Sequence, residues 1–359
     1  MESSVRILIS LRLTFRITAA LAAAVLLSGC ETLAYYAQAV GGQLELIART
    51  QPVATVIADP ATPQLLRERL ELAGSIRDYA SRELGLPDNG SYRSYADLAR
   101  PYVVWNVVAA PEFSLEPVES CFPVAGCVPY RGFFAREDAE RHGERLRSAG
   151  NDVNVRGVPA YSTLGRFDDP LLSTFIRNPD VELARLIFHE LAHQLLYVKD
   201  DSTFNESFAV AVERAGVQRW LAATGRSAGL KVFFEGHETS RKFFEELAQA
   251  RTRLKALYAM PLKPSVMRER KQSEFAALQK SLEATSRFRI LEPNNALLAS
   301  YATYTQLVPA FERLLADEGG DLERFYARVK KLAAGGAGGR PPAPTIERSS
   351  RGPSSVPIQ

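Results

Sequence analysis

His189-Glu190-Leu191-Ala192-His193 is the stretch that decides how this chain reads. A helix turns once per 3.6 residues, so two histidines four apart project from one face. Imidazoles at that spacing can grip one zinc ion. Glu190 then stands beside the open coordination position, placed to take a proton from water there. Two of the four histidines in the chain are spent on this motif.

The neighbours of the motif are apolar. Leu183, Leu186, Ile187, Leu191, Leu195 and Leu196 surround it on a helix that Asn178-Pro179-Asp180 opens and that is expected to run to about Val198. The motif helix is therefore buried, and polar ligands inside an apolar shell need partners, which a metal supplies. Lys199-Asp200-Asp201-Ser202-Thr203 breaks it, and the next helix is expected from about Phe204 to Thr224.

A catalytic zinc site needs a third protein ligand. The metzincin offsets hold Leu196 and Lys199, which excludes that class. A glutamate from the following helix is the other solution, and Glu206 stands in its first turn, facing back to His193 across an antiparallel turn. Glu213, two turns later on the same face, is the alternative. Thr203-Phe204-Asn205-Glu206 also fits a capping box, which would leave Glu206 structural. A closed structural zinc site usually has four ligands, often cysteines, and no such set lies near.

The amino end reads as a targeting device. Arg6, Arg12 and Arg16 precede an apolar run from Ile17 to Gly29, too short for a spanning helix of about 20 residues. It closes on Leu27-Ser28-Gly29-Cys30, which resembles the bacterial lipobox. That resemblance implies acylation of Cys30 and a lipid anchor facing the periplasm, with Glu31 leaning towards the outer membrane. In an exported chain Cys121 and Cys127 are expected to form a disulfide, with a second metal site as the rival. Net charge is +3, but residues 1–29 and 334–359 carry +2 each, which leaves the body at −1 and gives no electrostatic ground for nucleic-acid binding.

Between these landmarks the periodicity predicts helices over about 35–49, 62–84 and 136–149. Strands are predicted over 102–109, near 132–134, over 153–157 and, as an edge, over 160–164. Beyond the motif, 241–260 and 265–286 read as an αα-hairpin whose stripes are packing surfaces, and 294–316 and 321–333 as two further helices. The tail after Gly335 is rich in Gly, Pro, Ser and Arg and is expected to be disordered.

Beside HExxH, several stretches carry a family resemblance: Gly42-Gln43-Leu44-Glu45-Leu46, the segment from Cys121 to Cys127, Pro129-Tyr130-Arg131-Gly132, Tyr161-Ser162-Thr163-Leu164-Gly165 and Asn294-Asn295-Ala296. Together they resemble predicted bacterial aminopeptidases with a gluzincin-like HExxH, many of them lipoproteins. The resemblance implies an α+β, zincin-like metallopeptidase with a small mixed sheet and a mostly helical C-terminal part. Its organisation would be a signal peptide over 1–29, one domain over 30–333 carrying the hairpin 241–286, and a tail over 334–359. It implies Zn2+ on His189, His193 and Glu206, Glu190 as catalyst and a peptide as substrate. A second oxyanion donor is expected from Tyr304, Tyr301 or Arg131, an amine-binding acid from Glu213, Asp200 or Asp201, and a peptide-pairing strand around Tyr161-Ser162-Thr163. The rival reading is a non-catalytic envelope lipoprotein that uses the same fold for binding or scaffolding.

Overall fold

The computed structural model describes residues 33–122, 126–285 and 292–335. The leader, Cys30 and the tail from 336 lie outside the described residues. The chain opens with α1 (33–49), β1 (Thr50–Pro52), α2 (Val53–Ala58) and α3 (Gln64–Arg82). Two three-stranded sheets and one ribbon follow, rather than one small mixed sheet. In the first, β2 (Ser94–Ala96) pairs antiparallel with β1 and parallel with β8 (Leu171–Leu172). In the second, β3 (Val104–Pro111) lies between β6 (Arg131–Phe133) and β7 (Asn151–Val158), antiparallel to both. β4 (Ser120–Phe122) and β5 (Gly126–Val128) form the ribbon.

The second sheet sorts its side chains by the period of two. Val107, Ala109, Val153 and Val155 turn to α4 (Arg136–Ser148). Asn106, Val108, Asn154 and Arg156 turn the other way and line a cleft. The predicted edge strand over 160–164 does not form. Thr163 gives its amide to the Asp169 carboxylate at 3.1 Å, and Leu164 and Gly165 both take positive φ, so the segment curls into a loop.

The helical part is built around α5 (Asp180–Leu195) and α6 (Ser202–Ala223). α5 follows Pro179, carries Asp180 and Glu182 in its first turn, and is held there by Arg69, which donates to Ile176 O at 3.0 Å and Asn178 O at 2.5 Å. It stops at Leu195 because Leu196 is already extended. α6 is buried on nearly all sides, from Phe204 to Leu221, which marks it as the central helix. Phe208 meets the rings of Phe311, Phe325 and Tyr326 at 5.9, 6.0 and 6.2 Å. Phe208→Ala is expected to cost about 3–5 kcal/mol, read by denaturant unfolding.

α7 (Ser227–Tyr258) starts well before the predicted 241 and pairs with α8 (Pro264–Thr285). Arg253 meets Glu274 and Ser281 meets Glu246, so the two run antiparallel. Leu247, Leu254, Phe275, Leu278 and Leu282 fill a core of their own that Leu115 and Leu298 join. The single helix expected over 294–316 is two, α9 (Asn295–Thr305) and α10 (Val308–Asp317). Ser207 Oγ accepts from the Leu307 amide at the break, and Pro309, which cannot donate a helical hydrogen bond, favours a fresh start. α11 (Leu322–Ala334), capped by Asp321, closes the main core. No described helix is long and apolar enough to cross a membrane.

Candidate metal centre

α5 and α6 meet at a short turn, residues 196–201. Asn205 closes it: its Oδ1 accepts from the Val198 amide and its Nδ2 donates to the Val198 carbonyl, both at 2.7 Å. The cap of α6 is Asp201, which accepts from Phe204 N at 3.1 Å. Asp201 fills the role that the capping-box reading gave to Thr203, and Glu206 is free to turn inwards.

His189 Nε2 and His193 Nε2 lie 3.2 Å apart. Glu206 Oε2 lies 3.3 Å from the first and 3.7 Å from the second. These three residues converge on a common point. Tetrahedral ligands about 2.0–2.1 Å from zinc sit about 3.3–3.4 Å from one another, so the three atoms are spaced as ligands of one ion. Glu206 Oε2 is buried with no hydrogen-bond partner among the described residues, the state of an acceptor suited to a cation. The donor set and its spacing fit a divalent metal.

Glu213 faces the other side of His189, with its Oε2 2.8 Å from Nδ1, and Arg185 donates to it at 3.2 Å. A carboxylate on the far ring nitrogen fixes the tautomer and turns Nε2 towards His193 and Glu206. Glu206 therefore faces Nε2 of both histidines, and Glu213 faces Nδ1 of His189. The charges agree. Burial opposes ionisation throughout, yet Glu206 and Glu213 outweigh it and push His189 up to about 10. In return His193 and His189 hold Glu206 down to about 2. Burial also opposes Glu213, but Arg185 and His189 keep it below the usual range. The pocket thus favours a positive charge between two carboxylates.

Burial lifts Glu190 above the ordinary glutamate range. His189 and His193 pull it back, while Glu206 and Asp169 push it further up. A brace holds this end of α5. Gln194 accepts from Asn89 Nδ2 at 2.7 Å and donates to Ser91 Oγ at 3.1 Å and to Asp169 at 3.2 Å. Buried Arg77 fastens the Pro87–Ser91 turn through Pro87 O and Ser91 O at 2.8 and 2.9 Å.

The cleft beside Glu206 is lined by Asn106, Asn154, Arg156, Tyr130 and Ser300, among others. Tyr130 was not foreseen as a site residue. Burial first, then the fields of Glu206, Tyr197 and Glu190, raise its phenol, so it stays a proton donor at neutral pH. The disulfide Cys121–Cys127, with S–S 2.04 Å, closes the ribbon that precedes it in the chain. Cys127 N donates to Asp200 at 2.6 Å, and Gly126 packs where a Cβ would meet that carboxylate at 2.2 Å. Both thiols are used in this bond.

The foreseen oxyanion donors are Arg131, Tyr301 and Tyr304. Arg131 stacks over Tyr35 at 4.0 Å. Tyr301 packs against Phe243 and Phe244 at 5.5 and 5.8 Å. The side chain of Tyr304 lies outside the described residues. The three acids considered for a substrate amine are all engaged: Glu213 with His189 and Arg185, Asp200 with Cys127, Asp201 as the cap of α6. Asn294 and Asn295 are ties: Asn295 Nδ2 donates to Pro111 O and Glu112 O at 3.1 and 2.9 Å, and Asn294 caps α9.

No curated protein and no solved structure matches the chain. The family described as "Putative aminopeptidase" matches residues 34–341, which take in both helices of the site, the cleft and the disulfide loop. With most of its length matched, the chain belongs to this aminopeptidase family.

Proposed function

We propose that this protein is a zinc-dependent aminopeptidase of the gluzincin type, with a zincin-like fold, working in the bacterial cell envelope on a lipid anchor at Cys30. The observation that carries the chemistry is the meeting of His189 Nε2, His193 Nε2 and Glu206 Oε2 at ligand spacing, with that carboxylate oxygen otherwise unpartnered. Zinc held there would polarise a peptide carbonyl and make water more acidic. Glu190, with its raised proton affinity, takes the proton from water and passes it to the leaving amine. Tyr130 donates to the carbonyl oxygen as negative charge grows on it. Glu213 holds His189 in the tautomer that leaves Nε2 free.

An extended peptide needs a strand to lie against. Since 160–164 is a loop, β7 takes that role: it is the long edge strand of its sheet, and its Asn154 and Arg156 line the cleft next to Glu206.

The test is direct. The purified protein should hold one zinc per chain and hydrolyse peptides with a free amino end. It should lose that activity to a chelator and regain it with Zn2+. Equal turnover of N-acetylated peptides would turn the reading to an endopeptidase, and metal-free protein with full activity would end it. Tyr130→Phe should lower kcat about 10²–10³-fold with KM and zinc content nearly unchanged, since the hydroxyl acts on charge present only in the transition state.

A further inference from the structure

α1 carries an apolar face that the peptidase reading does not use. Leu33, Tyr36, Val40, Leu44 and Ile47 are 72, 39, 57, 60 and 46 % exposed. Their spacings of three and four residues gather them, at 100° per residue, within an arc of about 80°. Ala34, Ala37, Gly41 and Ala48 fill the flanks and are also exposed, so this outer face bears no charge over four turns. α4 is of similar length and turns Glu137, Arg141 and Glu144 outwards instead.

The inner face is fixed to the body. Gln38 accepts from Phe134 N at 3.1 Å, Gln43 accepts from the Tyr161 hydroxyl, and Glu45 meets Arg100 at 3.5 Å. Gly42 lies so close to the Phe134 ring that a Cβ there would overlap it. The helix is thus bound on one side and presents its apolar side outwards.

We propose that this outer face of α1 seats on a bilayer, lying in the boundary between headgroups and acyl chains. The preceding chain points to that occupant. The apolar run Ile17–Gly29, behind Arg6, Arg12 and Arg16, ends just before Leu33. With a lipid anchor on Cys30, three residues before Leu33, the chain leaves the bilayer within about 10 Å of the first residue of the stripe. α1 is too short to span and carries Glu45 and Arg49, so it lies along the surface. The tail beyond 335 has only Ile346, Val356 and Ile358 as large apolar residues, too few to cover five. The inference rests on the envelope reading only for the point where the chain meets the bilayer.

The test uses residues 31–359, which contain every described element and no leader, sedimented with vesicles of phosphatidylethanolamine and phosphatidylglycerol. The unaltered chain should cosediment. Val40→Glu/Leu44→Glu should weaken partition at least about tenfold, and Val40→Gln/Leu44→Gln, which adds no charge, should weaken it too. Circular dichroism should be the same for all three. An unaltered chain left in the supernatant, or variants that sediment equally with it, would overturn the proposal. So would a lipid-free dimer that the substitutions break, since the stripe then joins two copies. Release of full-length Cys30→Ser from the membrane fraction tests the anchor separately, and peptide hydrolysis tests the enzyme.

Discussion

Glu190→Gln is expected to leave a chain that keeps its zinc and has almost no peptidase activity. Glutamine matches glutamate in size and can occupy the same place on α5, so the fold and the His189–His193–Glu206 cluster should persist. What disappears is the proton acceptor. General acid–base catalysis is worth about 10²–10⁴ in rate, and in the proposed mechanism the same carboxylate serves both proton transfers, so the fall in kcat should lie at the upper end of that range. Zinc stoichiometry and kcat measured on one preparation settle it. Full activity in Glu190→Gln would remove the base role, and loss of zinc would mean that Glu190 is a ligand. A pH profile adds a check. The base works only when ionised, and its proton affinity is raised, so kcat/KM in the parent enzyme should fall as pH drops through an ionisation above the ordinary glutamate range.

A graded series at the metal is the second large effect. Glu213→Gln should weaken zinc binding about 10–100-fold, the usual consequence of losing an outer partner of a ligating histidine. Glu206→Gln and His193→Ala should each weaken it more than that and abolish activity, because a catalytic zinc site with only two protein ligands is incomplete. The order rests on the ring nitrogens: Glu206 is near Nε2 of both histidines, and Glu213 touches only Nδ1 of His189. Competition against a fluorescent zinc chelator measures all three. If Glu213→Gln proved the more damaging to zinc affinity, the roles of the two glutamates would be exchanged.

Much of this was legible in the residues. Helical period alone puts His189 and His193 on one face, and the short polar break after Val198 forces the next helix back alongside, bringing Glu206 within reach. The apolar, β-branched run of β3 and the charged stripe of α4 declare themselves in the same way. Other features carry no local mark. Tyr130 is some sixty positions before the motif in an irregular segment, and only the folding of that segment brings it to the cleft that Glu206 also lines. The loop at 160–165 has strand-forming residues, but Asp169 accepts from both the amide and the hydroxyl of Thr163, which holds the segment away from a strand. The stripe on α1 is as apolar as a core stripe, and periodicity cannot say which face turns inwards.

The amino-acid sequence by itself determined the chemistry on offer: two imidazoles at helical spacing, a base between them, and two acids one helix later. These follow from local geometry, which neighbours along the chain impose. The tertiary structure alone decided which acid faces which ring nitrogen, which tyrosine shares the cleft, and which side of α1 is left bare. Those are contacts between segments far apart in the chain, chosen by packing and by the need of every buried polar group for a partner.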